Sequence, residues 1–212
     1  MADGNVNNYN IIEKDCTGEY EEKKSRFICY LHYAETEEDA ISFINSIKKK
    51  HYDARHNCHA MILGPKRDFM RSSDDGEPQG TAGKPMLEVL NGAGLTNIVC
   101  VVTRYFGGVL LGTGGLLRAY TQAVKDALSN ANILSVEHCR DLKVTISYPL
   151  QGTLEHYLRS NEIKILSTDY TENVSYTVRL PYEKASSFTK DITDLSKASA
   201  SIEDLGEGFF PL

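Results

Sequence analysis

The chain has 212 residues, of which 41% are hydrophobic and 25% charged, with a formal net charge of −6. This is the composition of an ordinary globular protein, and the length suits one large domain or two small ones. Basic and acidic side chains number 15 against 17 up to residue 135 and 8 against 12 beyond it, so neither part carries the bulk positive field that drives nonspecific nucleic-acid binding.

The first ten residues are polar and Asn-rich, which predicts a loosely held terminus. Ser25 to Tyr33 reads as a strand. Thr36 with Asp39 forms a capping-box-like start to a helix whose apolar face is Ala40, Ile41, Ile44 and Ile47, ending in Lys48-Lys49-Lys50 where cations favour the helix C-terminus. His59 to Gly64 is a predicted strand with Phe69 to Ser72 as its hairpin partner. Pro85 and Gly92 bracket a short helix. The run Ile98-Val99-Cys100-Val101-Val102 is apolar on both faces, as a central strand covered on both sides should be. Thr113 to Ala131 is the longest predicted helix, with Leu116, Tyr120, Ala123, Val124, Ala127, Leu128 and Ala131 on one stripe.

The pattern changes near Asn132 to Glu137, which predicts two domains, 1–135 and 136–212. In the second, Leu142, Val144, Ile146 and Tyr148 alternate as in a half-buried strand. A helix with Leu154, Tyr157 and Leu158 follows, then strands around Ile163 to Tyr170 and Val174 to Leu180. Pro181 opens a helix with Ala185, Phe188, Ile192 and Leu195, and Ala200 to Leu205 is the last strand. The order is βαββαβ, a ferredoxin-like pattern, and the fold class is α+β.

Five cysteines (Cys16, Cys29, Cys58, Cys100, Cys139) are odd in number and lack paired spacing, which argues against a disulfide framework and for a reducing compartment. Cys29 and Cys100 fall in apolar runs and read as buried thiols. No apolar run approaches membrane length and no signal peptide is evident, so a cytoplasmic location without membrane contact is expected.

Glycines concentrate between Arg71 and Tyr120, among charged residues. Such density points to tight turns or to close approach of a partner. Gly112-Thr113-Gly114-Gly115 leads into the long helix, whose free N–H groups make an anion site near Gly114, with Thr113 as a cap and Arg104 and Arg118 within reach. The spacing is neither that of a phosphate-binding loop nor that of a dinucleotide fingerprint. In the other reading, Gly107-Gly108 and Gly114-Gly115 only shape loops, and Arg104 and Arg118 pair with Asp74, Asp75 or Glu77. Those acids also admit an acid/base pair or a magnesium site, although consecutive Asp residues in a Gly/Pro-rich loop more often make turns. His56 and His59 flank Cys58 without further zinc ligands nearby, and no nucleophile motif is present. No catalytic residue, metal or cofactor is assigned. The candidate binding residues are Asp74, Asp75, Glu77, Lys84, Arg104, Tyr105, Gly107, Gly108, Gly112, Thr113, Gly114, Gly115 and Arg118.

The segments Asp74-Asp75-Gly76-Glu77-Pro78-x-Gly80-Thr81-Ala82-Gly83-x-Pro85, Val101-Val102-Thr103-Arg104-Tyr105-Phe106-Gly107-Gly108 and Leu111-Gly112-x-Gly114-Gly115-Leu116-x-Arg118-Ala119-Tyr120 resemble the signature of the IMPACT/YigZ family. Lys24-Ser25-x-Phe27 and Asp53-Ala54-x-His56-Asn57-Cys58 match it too. The resemblance implies a first domain with the fold of a small-subunit ribosomal protein domain and of elongation factor G domain IV, and a ferredoxin-like second domain of the bacterial two-domain type. It also implies a link to translational control, since eukaryotic relatives act there through a protein partner. Two functions follow. One is a non-catalytic protein contacting RNA, the ribosome or a translation-regulatory protein through the glycine/arginine face. The other is an enzyme or small-ligand binder holding a phosphate or carboxylate, with Asp75 or Glu77 as base.

Overall fold

A computed structural model of the chain describes residues 8–211, so most of the terminus expected to be loose lies outside the described residues. Its last part is ordered: Tyr9–Ile12 is a strand (β1), Ile12 is buried, and the Asn10 carbonyl accepts the Thr96 N–H at 2.9 Å. The chain forms two compact units that divide between Ser135 and Val136.

The first unit is built on an antiparallel sheet of β2 (Cys16–Glu22), β3 (Ser25–Tyr33), β4 (His56–Leu63), β5 (Phe69–Ser73) and β6 (Ile98–Tyr105), in the order β2-β3-β6-β4-β5. The central strand is the doubly apolar run. Val99 and Val101 pack with Ala40, Ile44 and Ile47 of α1 (Glu37–Lys50). Ile98, Cys100 and Val102 pack under α2 (Gly83–Gly92) and α3 (Gly112–Ser129) on the other face. The Thr36 hydroxyl accepts the Asp39 N–H at 3.1 Å, which caps α1 as expected. Ile41, expected on the buried stripe, is 44% exposed, because it lies one residue round the helix from Ala40.

Pro85 is the third residue of α2 rather than its first, and Ala131 lies beyond the end of α3. Cys29 and Cys100 are fully buried with their sulfurs 3.5 Å apart, and burial pushes the Cys29 thiol well up. Strand β2 was not anticipated from the sequence.

In the second unit, β7 (Ile133–Ile146), β8 (Lys164–Tyr170), β9 (Val174–Pro181) and β10 (Ser201–Pro211) run antiparallel in the order β10-β7-β9-β8. Helices α4 (Gln151–Ser160) and α5 (Ala185–Leu195) bring Leu154, Leu158, Phe188 and Ile192 against Leu142, Val144, Tyr176 and Val178. The element order is βαββαβ, and the fold class is α+β. Tyr148 falls outside β7 and is 48% exposed, while Pro181 ends β9 instead of opening α5.

Candidate functional site

The segment from Asp74 to Ala82 joins β5 to α2, and each of its acids is held by a separate set of partners. Asp74 turns back on the loop. Its carboxylate accepts N–H bonds from Gly80 (2.8 Å), Ala82 (3.0 Å) and Gly83 (2.8 Å), which satisfies free donors at the start of α2. Burial pushes its pKa up, but the three N–H bonds outweigh that and hold it below the ordinary 3.8. Asp75 adopts a left-handed φ of 43° and bonds Lys48 Nζ and the Asn57 N–H, each at 2.7 Å. Burial again raises its pKa, and Lys48 and the Asn57 N–H reverse the shift to a net lowering.

Glu77 points into the protein. Its Oε1 accepts Arg104 Nη1 at 2.7 Å and the Tyr120 hydroxyl at 2.8 Å, and the two charged side chains are only 3% and 8% exposed. Tyr120 is fully buried, and burial raises its phenol far above the ordinary 10. Cys58 closes the cluster by donating to the Asp74 carbonyl at 2.9 Å, with its thiol pushed up to about 12 by burial. Arg104 therefore pairs with an acid as one reading expected, whereas Arg118 has no ion-pair partner among the described residues. Arg118 is exposed on α3, where its Nε donates to the Gly114 carbonyl at 3.4 Å.

The anchoring of Asp74 gives a direct test. Asp74→Asn presents an amide N–H to the Gly80 N–H and is expected to cost about 1.5–3 kcal/mol at neutral pH. The folded pKa lies below the unfolded value of 3.8, so this stabilisation is complete above pH 3.8 and fades as pH falls through the lowered folded value. The gap in melting temperature between wild type and variant should therefore narrow in acid. A gap independent of pH would show that the carboxylate is not the anchor.

Tyr105 is separated from Arg104 by strand alternation. Its hydroxyl donates to Asp53 Oδ1 at 3.0 Å and meets His51 Nδ1 at 2.9 Å, away from the Glu77–Arg104 pair. Thr113 makes no cap, because Leu111 takes the N-cap position in a helical conformation and leaves Thr113 inside the first turn. Lys84 is exposed on the first turn of α2, and nothing would stand within 4 Å of a Cβ at Gly114. Gly108 and Gly112 take left-handed φ values of 86° and 70°. A Cβ on Gly115 would meet Leu111 Cβ at 3.0 Å. Gly107 is where two backbones touch: its N–H donates to Ser25 Oγ at 3.1 Å, and a Cβ there would lie 2.0 Å from the Lys24 carbonyl carbon.

Beside Arg104, the structure brings in four residues outside the candidate binding set, Arg55, His56, Phe106 and Leu110. Arg55, His56, Arg104, Phe106 and Leu110 line a hollow of about 230 Å³. The Arg104 guanidinium sits 5.6 Å from the ring centres of both Phe27 and Phe106. Of its lining, Phe106 (53%) and Leu110 (82%) are exposed, as are Val109 (46%) on the same loop and Leu117 (43%) on α3. The available signal was the stretch Phe106 to Leu110, whose apolar residues are interrupted by Gly107-Gly108, a pair that disfavours both strand and helix. No group of three or more His, Cys, Asp or Glu side chains among the described residues could hold a metal, and no described helix is long and apolar enough to cross a membrane.

Residues 23–128, which include all of these groups, match the Impact N-terminal domain, and residues 144–199 match a domain of unknown function, DUF1949. The chain is 39% identical over 182 residues to IMPACT family member YvyE of Bacillus subtilis (strain 168), covering 86% of this chain and 84% of that one. It is 40% identical over 182 residues to IMPACT family member YigZ of Escherichia coli (strain K12), covering 85% and 89%. A solved structure described as "Crystal structure of an hypothetical protein" superposes with a TM-score of 0.61 at 37% identity, covering 94% of this chain and 98% of that one. With the glycine loops, the inward acids and both domains matched along most of its length, the chain belongs to the IMPACT family.

Proposed function

We propose that the protein is a non-catalytic binding protein linked to translation, which contacts RNA on the ribosome through its glycine/arginine face. One observation carries the reading. The motif's acids are held by internal bonds, while the exposed Phe106 and Leu110 share a hollow with the exposed Arg55, and Val109 and Arg118 are exposed on the neighbouring loop and helix. An apolar and cationic surface suits a nucleic-acid partner. The acids offered as bases by the enzyme reading already serve structural partners: Asp75 is held ionised by Lys48, and Glu77 is buried against Arg104. A translation-regulatory protein is the second reading, favoured by the exposure of Val109 and Leu110.

Co-sedimentation with ribosomes and subunits across a salt series tests the proposal. The wild type is expected to bind saturably and more weakly as salt rises. Arg55→Ala/Arg118→Ala, which changes two exposed side chains, should lose most binding with an unchanged melting temperature. Absence of binding even at low salt would move the face to a protein partner.

A further inference from the structure

We infer that the hollow between Arg55, His56, Arg104, Phe106 and Leu110 is a one-nucleotide subsite, which stacks a single unpaired RNA base on Phe106 and holds its phosphate at Arg55. The inference rests on the RNA reading above and names what the face recognises.

Size comes first. About 230 Å³ lies below the ~300 Å³ at which small-molecule sites begin. A dinucleotide or other large cofactor does not fit, whereas one planar base with its backbone leaving through the mouth does.

The lining gives the chemistry. Two guanidinium groups and an imidazole line the hollow without a carboxylate among them. Phe106 and Leu110 supply apolar walls, and more than half of the Phe106 surface is open. Glu77 already neutralises Arg104, so the net positive charge at the hollow comes from Arg55 at the rim. A guanidinium there can grip a phosphate through two N–H bonds.

Arg104 has another part. The residue is 7% exposed, and its Nε is buried with no hydrogen-bond partner among the described residues. Such a donor is unfavourable unless something completes the site. Arg104 also lies 5.6 Å from the centre of the Phe106 ring, a cation–π contact that helps to hold the ring in place. His56 Nδ1 lies 2.9 Å from the Asp75 carbonyl, which can only accept, so the proton is on Nδ1 and Nε2 is the nitrogen left for a ligand.

Charge decides between a strand held by its phosphates and one held by its bases. The first unit has 15 basic and 17 acidic side chains; Arg55 is the exposed cation lining the hollow, and Lys24 is exposed at the turn that meets Gly107. Two phosphate contacts on a single strand give a salt slope of only about −1.4. Stacking must therefore carry most of the affinity, at about 5- to 150-fold per base.

The test uses the full chain and fluorescence anisotropy with labelled octamers of U and of A, with UMP and AMP as separate arms. Phe106→Ala is expected to weaken octamer binding about 5- to 150-fold without moving the melting temperature, and Phe106→Trp to retain it. Arg55→Ala should weaken binding and flatten the salt slope by about 0.7. Tighter binding of octamers than of mononucleotides identifies a strand as the source. Equal binding identifies a free nucleotide and overturns the RNA assignment. Octamer binding unaffected by Phe106→Ala overturns the subsite. Ribosome co-sedimentation that survives without any octamer binding also overturns the subsite, while leaving the broader RNA reading in place. Loss of both removes the two together.

Discussion

Arg104→Ala is expected to lower the melting temperature by roughly 10 °C, while Arg118→Ala leaves it within about 2 °C. Both arginines flank the same glycine-rich loop in sequence, and the difference lies in where they end. Arg104 and Glu77 are 8% and 3% exposed and 2.7 Å apart, and the Tyr120 hydroxyl also donates to that carboxylate oxygen at 2.8 Å. Removing the guanidinium strands a buried charge, which costs about 3–5 kcal/mol. It also opens the space between Phe27 and Phe106. Arg118 is on the surface, and its bond to the Gly114 carbonyl is long at 3.4 Å.

Adding Glu77→Gln to Arg104→Ala replaces the stranded charge with a neutral amide and should recover part of the loss. Thermal melts of the three variants check this. Equal shifts for Arg104→Ala and Arg118→Ala would sink the distinction, and a double variant no better than Arg104→Ala would show that lost packing dominates.

The fold was legible where local pattern and burial coincide. The five residues from Ile98 to Val102 predict a strand covered on both faces, because the run is short, rich in β-branched side chains and apolar at every position. Alternation in Val174, Tyr176, Val178 and Leu180 likewise marks the inner face of β9. Strand β2 was illegible for the opposite reason. Its sequence is mostly polar, and only Gly18 is fully buried, since a Cβ there would lie 2.2 Å from the Ala127 backbone nitrogen of α3. That close approach joins residues more than a hundred positions apart, and no local pattern encodes it.

The site divides in the same way. Turn chemistry pointed to a structured loop at Asp74-Asp75, as the three N–H bonds to Asp74 bear out. The choice of Arg104 rather than Arg118 as the partner of Glu77 depends on the packing of β6 against α3. Tyr105 could have been set apart from Arg104 by the period of two alone.

Gly107→Ala is expected to be at least as damaging as Arg104→Ala, and far more so than Gly108→Ala. The usual reason for glycine, a positive φ, applies to Gly108, whose φ is 86° and where a Cβ would meet nothing within 4 Å. Alanine there costs about 1–2 kcal/mol of conformational strain. At Gly107 the obstacle is contact. A Cβ would sit 2.0 Å from the Lys24 carbonyl carbon and 2.3 Å from both the Lys24 oxygen and the Ser25 nitrogen.

These are backbone atoms of a two-residue hairpin turn in which Lys23 and Lys24 hold φ values of 47° and 64°. The turn has little room to retreat, because Ser25 is fully buried and its hydroxyl accepts the Gly107 N–H. The next pairs along the ladder are Arg26 with Tyr105 and Phe27 with Arg104. Relieving the clash therefore pulls Phe27 from Arg104 and re-aims Phe106, so the loss passes directly into the Glu77 ion pair. A fall of about 10 °C or more for Gly107→Ala is expected, with faster amide exchange in both 24–27 and 104–107. A Gly108→Ala variant that melts below Gly107→Ala would mean that loop conformation, not the meeting of the two backbones, explains the glycine pair.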